Sequence, residues 1–153
     1  MEQLDKTDIR ILRILQKDAK KTTKEIAELL NLSVSPVYER IRKMEKEGYI
    51  QKYVAILDKK LLKRSITAFC QVSIKLHNET SIETFEAEVI ALEEVQECYH
   101  LAGDVDFLLK INMESLEEYH TFLRQKLSKI PNISTLNTTF VLKESKHSSE
   151  LFF

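Results

Sequence analysis

The stretch HLAGDVDF (residues 100–107) sets Gly103, one of only two glycines in 153 residues, between Ala102 and a pair of carboxylates, Asp104 and Asp106. Apolar, strand-like residues stand on both sides of it. Three chemistries fit such a turn. His100, Asp104 and Asp106 offer two kinds of metal ligand, but no His/Cys cluster in the sequence completes a coordination shell. Two acids can work as a general acid and base, yet no nucleophile, phosphate-binding loop or cofactor motif accompanies them. No catalytic and no metal-binding residue is therefore assigned. The third chemistry is reception of an amino acid. Carboxylates or strand-end carbonyls accept from an α-ammonium group, and a glycine lets backbone N–H groups approach an α-carboxylate. This reading takes Ala102, Gly103, Asp104, Val105 and Asp106. Its alternative is a plain turn with both acids solvated. His77, His120 and His147 read as surface residues without a role.

A second set of residues suits nucleic acid. Lys20, Lys21, Thr22 and Thr23 stand at the start of one expected helix, where backbone N–H groups and adjacent lysines favour phosphate. Ser35, Pro36, Glu39, Arg40 and Lys43 form the outward side of the next, with Ser33 at its tip. Short polar residues allow close approach to base edges, and arginine bonds guanine bidentately or grips a phosphate. A solvated charged face is the alternative.

Those residues need helices to present them. LDKTDIRILRILQKD opens on Asp5 as N-cap, with Leu4 and Ile9 as a hydrophobic staple and Ile11, Leu12 and Leu15 as the inward face. TTKEIAELL opens on Thr22 and Glu25 at capping-box spacing, with Ile26, Leu29 and Leu30 inward. LLNLS gives helix-turn-helix spacing, and Asn31 is the residue suited to positive φ. The third helix carries Val37, Ile41 and Met44 inward and ends before Gly48, a left-handed cap. Either Ser35 caps it with Pro36 at the first helical position, or Ser33 caps it with Pro36 at the third. YIQKYVAILD then looks extended, and DKKLLKRS (58–65) reads as a linker.

Beyond the linker the period changes. Ile66, Ala68, Cys70, Val72, Ile74 and Leu76 alternate with mostly polar residues, which predicts a strand with one face on a core. A helix follows, capped by Thr80 and Glu83, with Ile82, Phe85, Val89 and Leu92 inward. Strands over 95–102 and 106–112 flank the GDVD turn. A helix capped by Ser115 and Glu118 carries Leu116, Tyr119, Leu123 and Leu127 inward, and a strand over 133–143 closes the series. The order βαββαβ is ferredoxin-like. Two helices would cover one sheet face, and the other, with Phe69, calls for a partner.

The fold class is thus α+β: a helix-turn-helix domain over 1–60, including the linker strand, then a βαββαβ domain over 61–153. Charge follows the same division. Residues 1–60 carry 14 Lys+Arg against 10 Asp+Glu, and residues 61–153 carry 9 against 14. A basic part joined to an acidic part suggests different partners. No apolar run reaches the roughly 18–20 residues of a membrane span, and no charged-then-apolar leader opens the chain. Cys70 and Cys98 sit in strand-like runs and read as reduced thiols of a cytoplasmic protein.

LDKTDIRILRILQKDAKKTTKEIAELLNLSVSPVYERIRKMEKEGYIQKYVAILD resembles the winged helix-turn-helix of the feast/famine regulators, the Lrp/AsnC family. VQECYHLAGDVDFLLKI and KIPNISTLNTTFVLKESK resemble its effector domain, most closely in the leucine-responsive branch. The resemblance implies a transcription regulator that binds double-stranded DNA, dimerises and assembles into octamers. It also implies an amino-acid effector bound between dimers near Gly103–Asp106, with Asn137 and Thr138 adding side-chain bonds from a neighbouring subunit, and a residue facing DNA at the position of Arg40. The family often has Ser or Thr where Leu136 stands and Thr or Ser where Ala102 stands. Both changes make the neighbourhood more apolar, so leucine or methionine is the expected effector. Two rivals accompany this reading. Siroheme decarboxylases share the fold, but their anionic tetrapyrrole substrate calls for a basic second part. An effector-sensing module without DNA binding would not need the Arg40, Arg42 and Lys43 surface.

Overall fold

The computed structural model describes residues 4–153, which divide into two compact units, residues 4–56 with 146–153, and residues 57–145. The division lies at 56/57, four residues before the expected 60/61. The last eight residues, expected in the second unit, pack with the first. There the Leu151 N–H donates to the Gln16 amide oxygen (2.6 Å), and the Arg13 guanidinium lies 5.9 Å from the centre of the Phe153 ring.

The first unit is built on three helices, α1 (Lys6–Lys17), α2 (Thr23–Leu30) and α3 (Val34–Lys46). Short-range caps set their starts. The Asp5 carboxylate accepts from the N–H groups of Thr7 and Asp8, and Asp8 returns the bond to the Asp5 N–H. Thr22 and Glu25 form the same reciprocal box on α2. Asn31 ends α2 at φ 55°, ψ 46°, the left-handed conformation that asparagine tolerates. Ser33 is the N-cap of α3, which puts Pro36 at the third helical position, where its missing N–H leaves no bond unmade. Gly48 follows α3 at φ 82°. The core gathers Ile11, Leu15, Ile26, Ala27, Leu30, Val37, Ile41 and Met44. Leu29, expected inward, is 54% exposed, and Ala27 takes the inward place. YIQKYVAILD forms no strand. A lone extended segment has no ladder partner, and Tyr53, Val54, Ile56 and Leu57 stay exposed.

The second unit carries β1 (Ile66–Ile74), α4 (Glu79–Ile90), β2 (Val95–His100), β3 (Phe107–Met113), α5 (Leu116–Gln125), a 3-10 turn (Leu127–Lys129) and β4 (Ile133–Phe140). The sheet order is β2-β3-β1-β4 with every neighbouring pair antiparallel, the ferredoxin-like arrangement. Ala68, Cys70, Val72 and Ile74 on β1 meet Phe107, Leu109, Ile111 and Met113 on β3, Phe85 and Val89 on α4, and Tyr119 and Phe122 on α5 in one core. Ser115 caps α5 by accepting from the Glu118 N–H (3.1 Å). α4 starts two residues earlier than its expected Thr80 cap. Asn78 holds its end by accepting from the Ser81 N–H (2.8 Å), and asparagine is the stronger capping residue. Leu116, expected inward, lies outward in the first turn of α5, while Phe122 is buried. β4 ends at Phe140, short of the expected 143.

The sheet face opposite the core carries Phe69, Lys110 and Glu97 in one cross-strand row. The Lys110 ammonium donates to Glu97 (2.8 Å) and is largely withdrawn from solvent. Beside this row the Thr67 hydroxyl bonds Asn112 (2.9 Å). Among the described residues no helix is long and apolar enough to cross a membrane.

Candidate functional site

Ser33, Ser35, Pro36, Glu39 and Lys43 lie exposed along α3, and the Ser33 hydroxyl makes no capping bond. Arg40 does not join them. Its Nη1 donates to Asp5 Oδ2 and to Asp8 Oδ1, both at 2.6 Å, and the side chain is only half-exposed. The hydrogen bond to Asp8, then that to Asp5, raises the guanidinium pKa above its ordinary value. In return, the Asp8 backbone N–H and the Arg40 guanidinium hold the Asp5 carboxyl below its usual range. The arginine expected to face DNA is a clamp between α3 and the capped start of α1, with its charge met twice within the unit. Arg42, two residues on, is the open guanidinium. It is 65% exposed and bonds Glu45 one turn away (3.2 Å). The outward stripe read from sequence took Arg40 and passed over Arg42, because the Asp5–Asp8 pair that withdraws Arg40 lies more than thirty residues away.

At the start of α2, Lys21 pairs with Asp18 (3.7 Å). Thr22 is exposed, and both its backbone N–H and its hydroxyl donate to Glu25 (2.7 Å each). These bonds, backbone first, lower the Glu25 pKa. An ionised carboxylate therefore already holds the Thr22 donors at this helix end.

In the second unit the turn between β2 and β3 is closed by its own main chain. Leu101 N–H donates to the Asp106 carbonyl (2.8 Å), and Asp106 N–H donates to the Val72 carbonyl (3.0 Å). The two acids then part. The Asp106 carboxylate turns inward, accepting from the Ile74 N–H at Oδ2 (2.8 Å) and meeting His77 Nε2 at Oδ1 (2.9 Å). Asp104 is exposed, and no described residue bonds it. His77, read from sequence as a surface residue without a role, is thus part of the loop's support. Gly103 is exposed at negative or extended φ, and a Cβ built there meets nothing within 4 Å. The fold of the single chain does not require glycine there, so the space in front of the backbone is open to another molecule.

The three β4 residues divide between the sheet faces. Leu136 pairs with Val72 and Thr138 with Cys70, both on the core side, while Asn137 pairs with Gln71 on the opposite side. Leu136 packs on the core. The Thr138 hydroxyl lies 2.5 Å from the Tyr119 hydroxyl, whose pKa burial pushes up to about 12. β1 separates β4 from β3, so these residues stand roughly 10 Å from the strand that carries the loop. Within one chain the structure gathers Ala102–Asp106 with His77, and leaves Leu136, Asn137 and Thr138 apart from them. His100 stacks on Phe107 (ring centres 4.7 Å apart), and its Nδ1 lies 3.8 Å from Glu86, away from both loop acids. Among the described residues no three His, Cys, Asp or Glu side chains gather as metal ligands. Burial raises the pKa of both thiols, Cys70 and Cys98, which makes them poor nucleophiles.

Comparison with known proteins covers both units. Residues 67–151 match the Lrp/AsnC ligand binding domain, and residues 4–51 match a winged helix-turn-helix DNA-binding domain. The leucine-responsive regulatory protein of Salmonella typhimurium is 35% identical over 150 residues, 98% of this chain and 92% of the relative. The protein of the same name from Escherichia coli K12 is 34% identical over the same share. The crystal structure of a transcriptional regulator from Neisseria meningitidis in complex with L-Met superposes with a TM-score of 0.93 at 34% identity, over 97% of this chain and 96% of that one. An AsnC family transcriptional regulator from Agrobacterium tumefaciens superposes at 0.92 with 32% identity, over 97% and 96%.

Proposed function

Because the chain belongs to the Lrp/AsnC family of DNA-binding transcription regulators, we propose that it reads a specific operator through α3 and that leucine or methionine shifts its DNA binding or assembly. Its relatives are regulators and not enzymes, so the decarboxylase alternative falls. The matched helix-turn-helix removes the alternative without DNA binding.

The observation that carries the sensing reading is the loop at 102–106. Asp104 is an open carboxylate that can accept from an α-ammonium, and Gly103 leaves its backbone accessible to an α-carboxylate. Ala102 beside them offers no hydroxyl, which favours an apolar side chain. Asn137 and Thr138 would enter the site from a neighbouring subunit. On DNA, Ser33, Ser35, Pro36, Glu39 and Lys43 face the groove, joined by Arg42 in place of Arg40, while Lys21, Thr22 and Thr23 approach the phosphates. The chain acts in the cytoplasm as at least a dimer formed through the open sheet face, with the octamer as its full assembly. The partly exposed Phe69 and the Lys110–Glu97 pair supply an apolar and a polar contact for that face.

A thermal-shift series with the twenty amino acids tests the sensing reading, since a ligand that binds only the folded state raises its stability. Leucine or methionine should raise the midpoint most. A series in which neither shifts it, or in which asparagine or lysine does so alone, contradicts the reading. Light scattering that finds a monomer at micromolar concentration contradicts the assembly.

A further inference from the structure

We propose that Asp106 is the positioning residue of the effector loop and not a ligand to the amino acid: it fixes the strand end from which Gly103 and Asp104 project. This inference rests on reading residues 102–106 as the effector loop.

The geometry is specific to this acid. The β1–β3 ladder ends at the pair Val72 and Phe107. The Val72 carbonyl faces β3, where it accepts from the Asp106 N–H, so the Ile74 N–H, two residues on along the same edge of β1, lies past the end of that strand without a ladder partner. Asp106 Oδ2 supplies the missing acceptor to Ile74 at 2.8 Å, and Oδ1 meets His77 at 2.9 Å. Its own N–H and carbonyl close the turn on Val72 and Leu101. With its side chain only 19% exposed, the carboxylate offers little access to a ligand from solvent. Asp104, two residues earlier, is exposed and has no partner among the described residues.

The segment that Asp106 grips is held from its other side as well. The Asn132 carbonyl accepts from the Lys75 N–H (2.8 Å), and its side chain bonds both the N–H and the carbonyl of Leu76 (2.8 and 2.9 Å). Asn132 does so at φ 71°, in the left-handed region. Asp106 and Asn132 therefore fasten residues 74–77 between the effector loop and the start of β4. A change at Asp106 would reach the ligand through this frame.

Asparagine at 106 separates the two roles. It keeps an acceptor for Ile74 and a donor for His77, and it removes the charge. On the full-length chain, methionine affinity would be measured by calorimetry, and backbone amide exchange followed at Ile74 and at residues 101–106. Asp106→Asn should bind methionine within about threefold of wild type, whereas Asp104→Asn should lose about tenfold or more. Asp106→Ala should lose affinity and exchange faster at Ile74 and across the loop, and Asp106→Asn should restore slow exchange. If Asp106→Asn loses as much affinity as Asp104→Asn with its exchange unchanged, the carboxylate is a ligand and the proposal is overturned. If wild type binds neither methionine nor leucine, the sensing reading fails, and exchange alone decides. Unchanged exchange in Asp106→Ala then overturns the positioning role, and fast exchange slowed by Asp106→Asn supports it.

Discussion

The outer face of α3 and the loop between β2 and β3 each carry two like charges two residues apart, and in each the two take opposite paths. On α3, Arg40 is drawn between Asp5 and Asp8 while Arg42 stands out, bonded to Glu45 one turn away. In the loop, Asp106 turns in to Ile74 and His77 while Asp104 stays open. Residue type and spacing mark both places as charged. Which charge is available to a ligand depends on groups that arrive from far along the chain, an α1 cap in one case and the unpaired end of β1 in the other. Each inward charge holds the frame from which its neighbour projects.

The largest way to break this comparison is to remove the packing beneath one of the two frames. Phe107 follows Asp106 directly, is fully buried, and packs on Phe85 with ring centres 4.5 Å apart. Phe107→Ala should destabilise the second unit by about 3–5 kcal/mol in denaturant titration. A loss below about 1 kcal/mol would mean that the loop's base relaxes around the cavity.

The two arginines sharpen the comparison directly. Arg42→Ala should weaken operator binding and reduce the salt slope by about one, as expected for a lost phosphate contact. Arg40→Ala should leave the slope unchanged and lower the thermal midpoint instead, because its charge is already met by two carboxylates. Gel-shift titrations at several salt concentrations, alongside melting curves, separate these outcomes. A reduced slope for Arg40→Ala would return that residue to the DNA interface.

Two helix caps give the smallest contrast. The Ser115 hydroxyl accepts from Glu118, so Ser115→Ala should destabilise the chain by about 1 kcal/mol. The Ser33 hydroxyl caps nothing, so Ser33→Ala should change stability by less than about 0.5 kcal/mol. Any fall in its operator affinity would then report contact with DNA. Equal losses of stability for both serines would contradict the assigned caps.

Local rules carried most of the fold. The Asp5, Thr22 and Ser115 caps, left-handed Asn31, the inward stripe of α3 and the alternation along β1 as far as Ile74 are set within a few residues and stand as expected; Leu76, expected to continue that alternation, lies exposed beyond the strand end. The errors arose where two local signals compete or where the partner is distant. Asn78 outcompetes Thr80 as a cap, and Leu116 yields the inward place to Phe122. Residues 49–58 have strand-forming types but no partner strand among the described residues. The return of residues 146–153 to α1 leaves no periodic signal, since it rests on Gln16, Arg13 and the main chain of the tail. The candidate site followed the same rule: the loop was legible from its glycine and acids. The inward turn of Asp106, the role of His77 and the Arg40 clamp required contacts 29 to 35 residues apart.

The central claim is that an amino acid bound at the open half of the loop changes DNA affinity. Operator titrations of wild type and Asp104→Ala, each with and without methionine or leucine, test it most directly. Wild-type affinity should shift by a coupling of about 1–3 kcal/mol, and Asp104→Ala should lose that shift while its effector-free affinity stays near wild type. A variant that responds like wild type would make Asp104 a solvated turn residue and contradict the account.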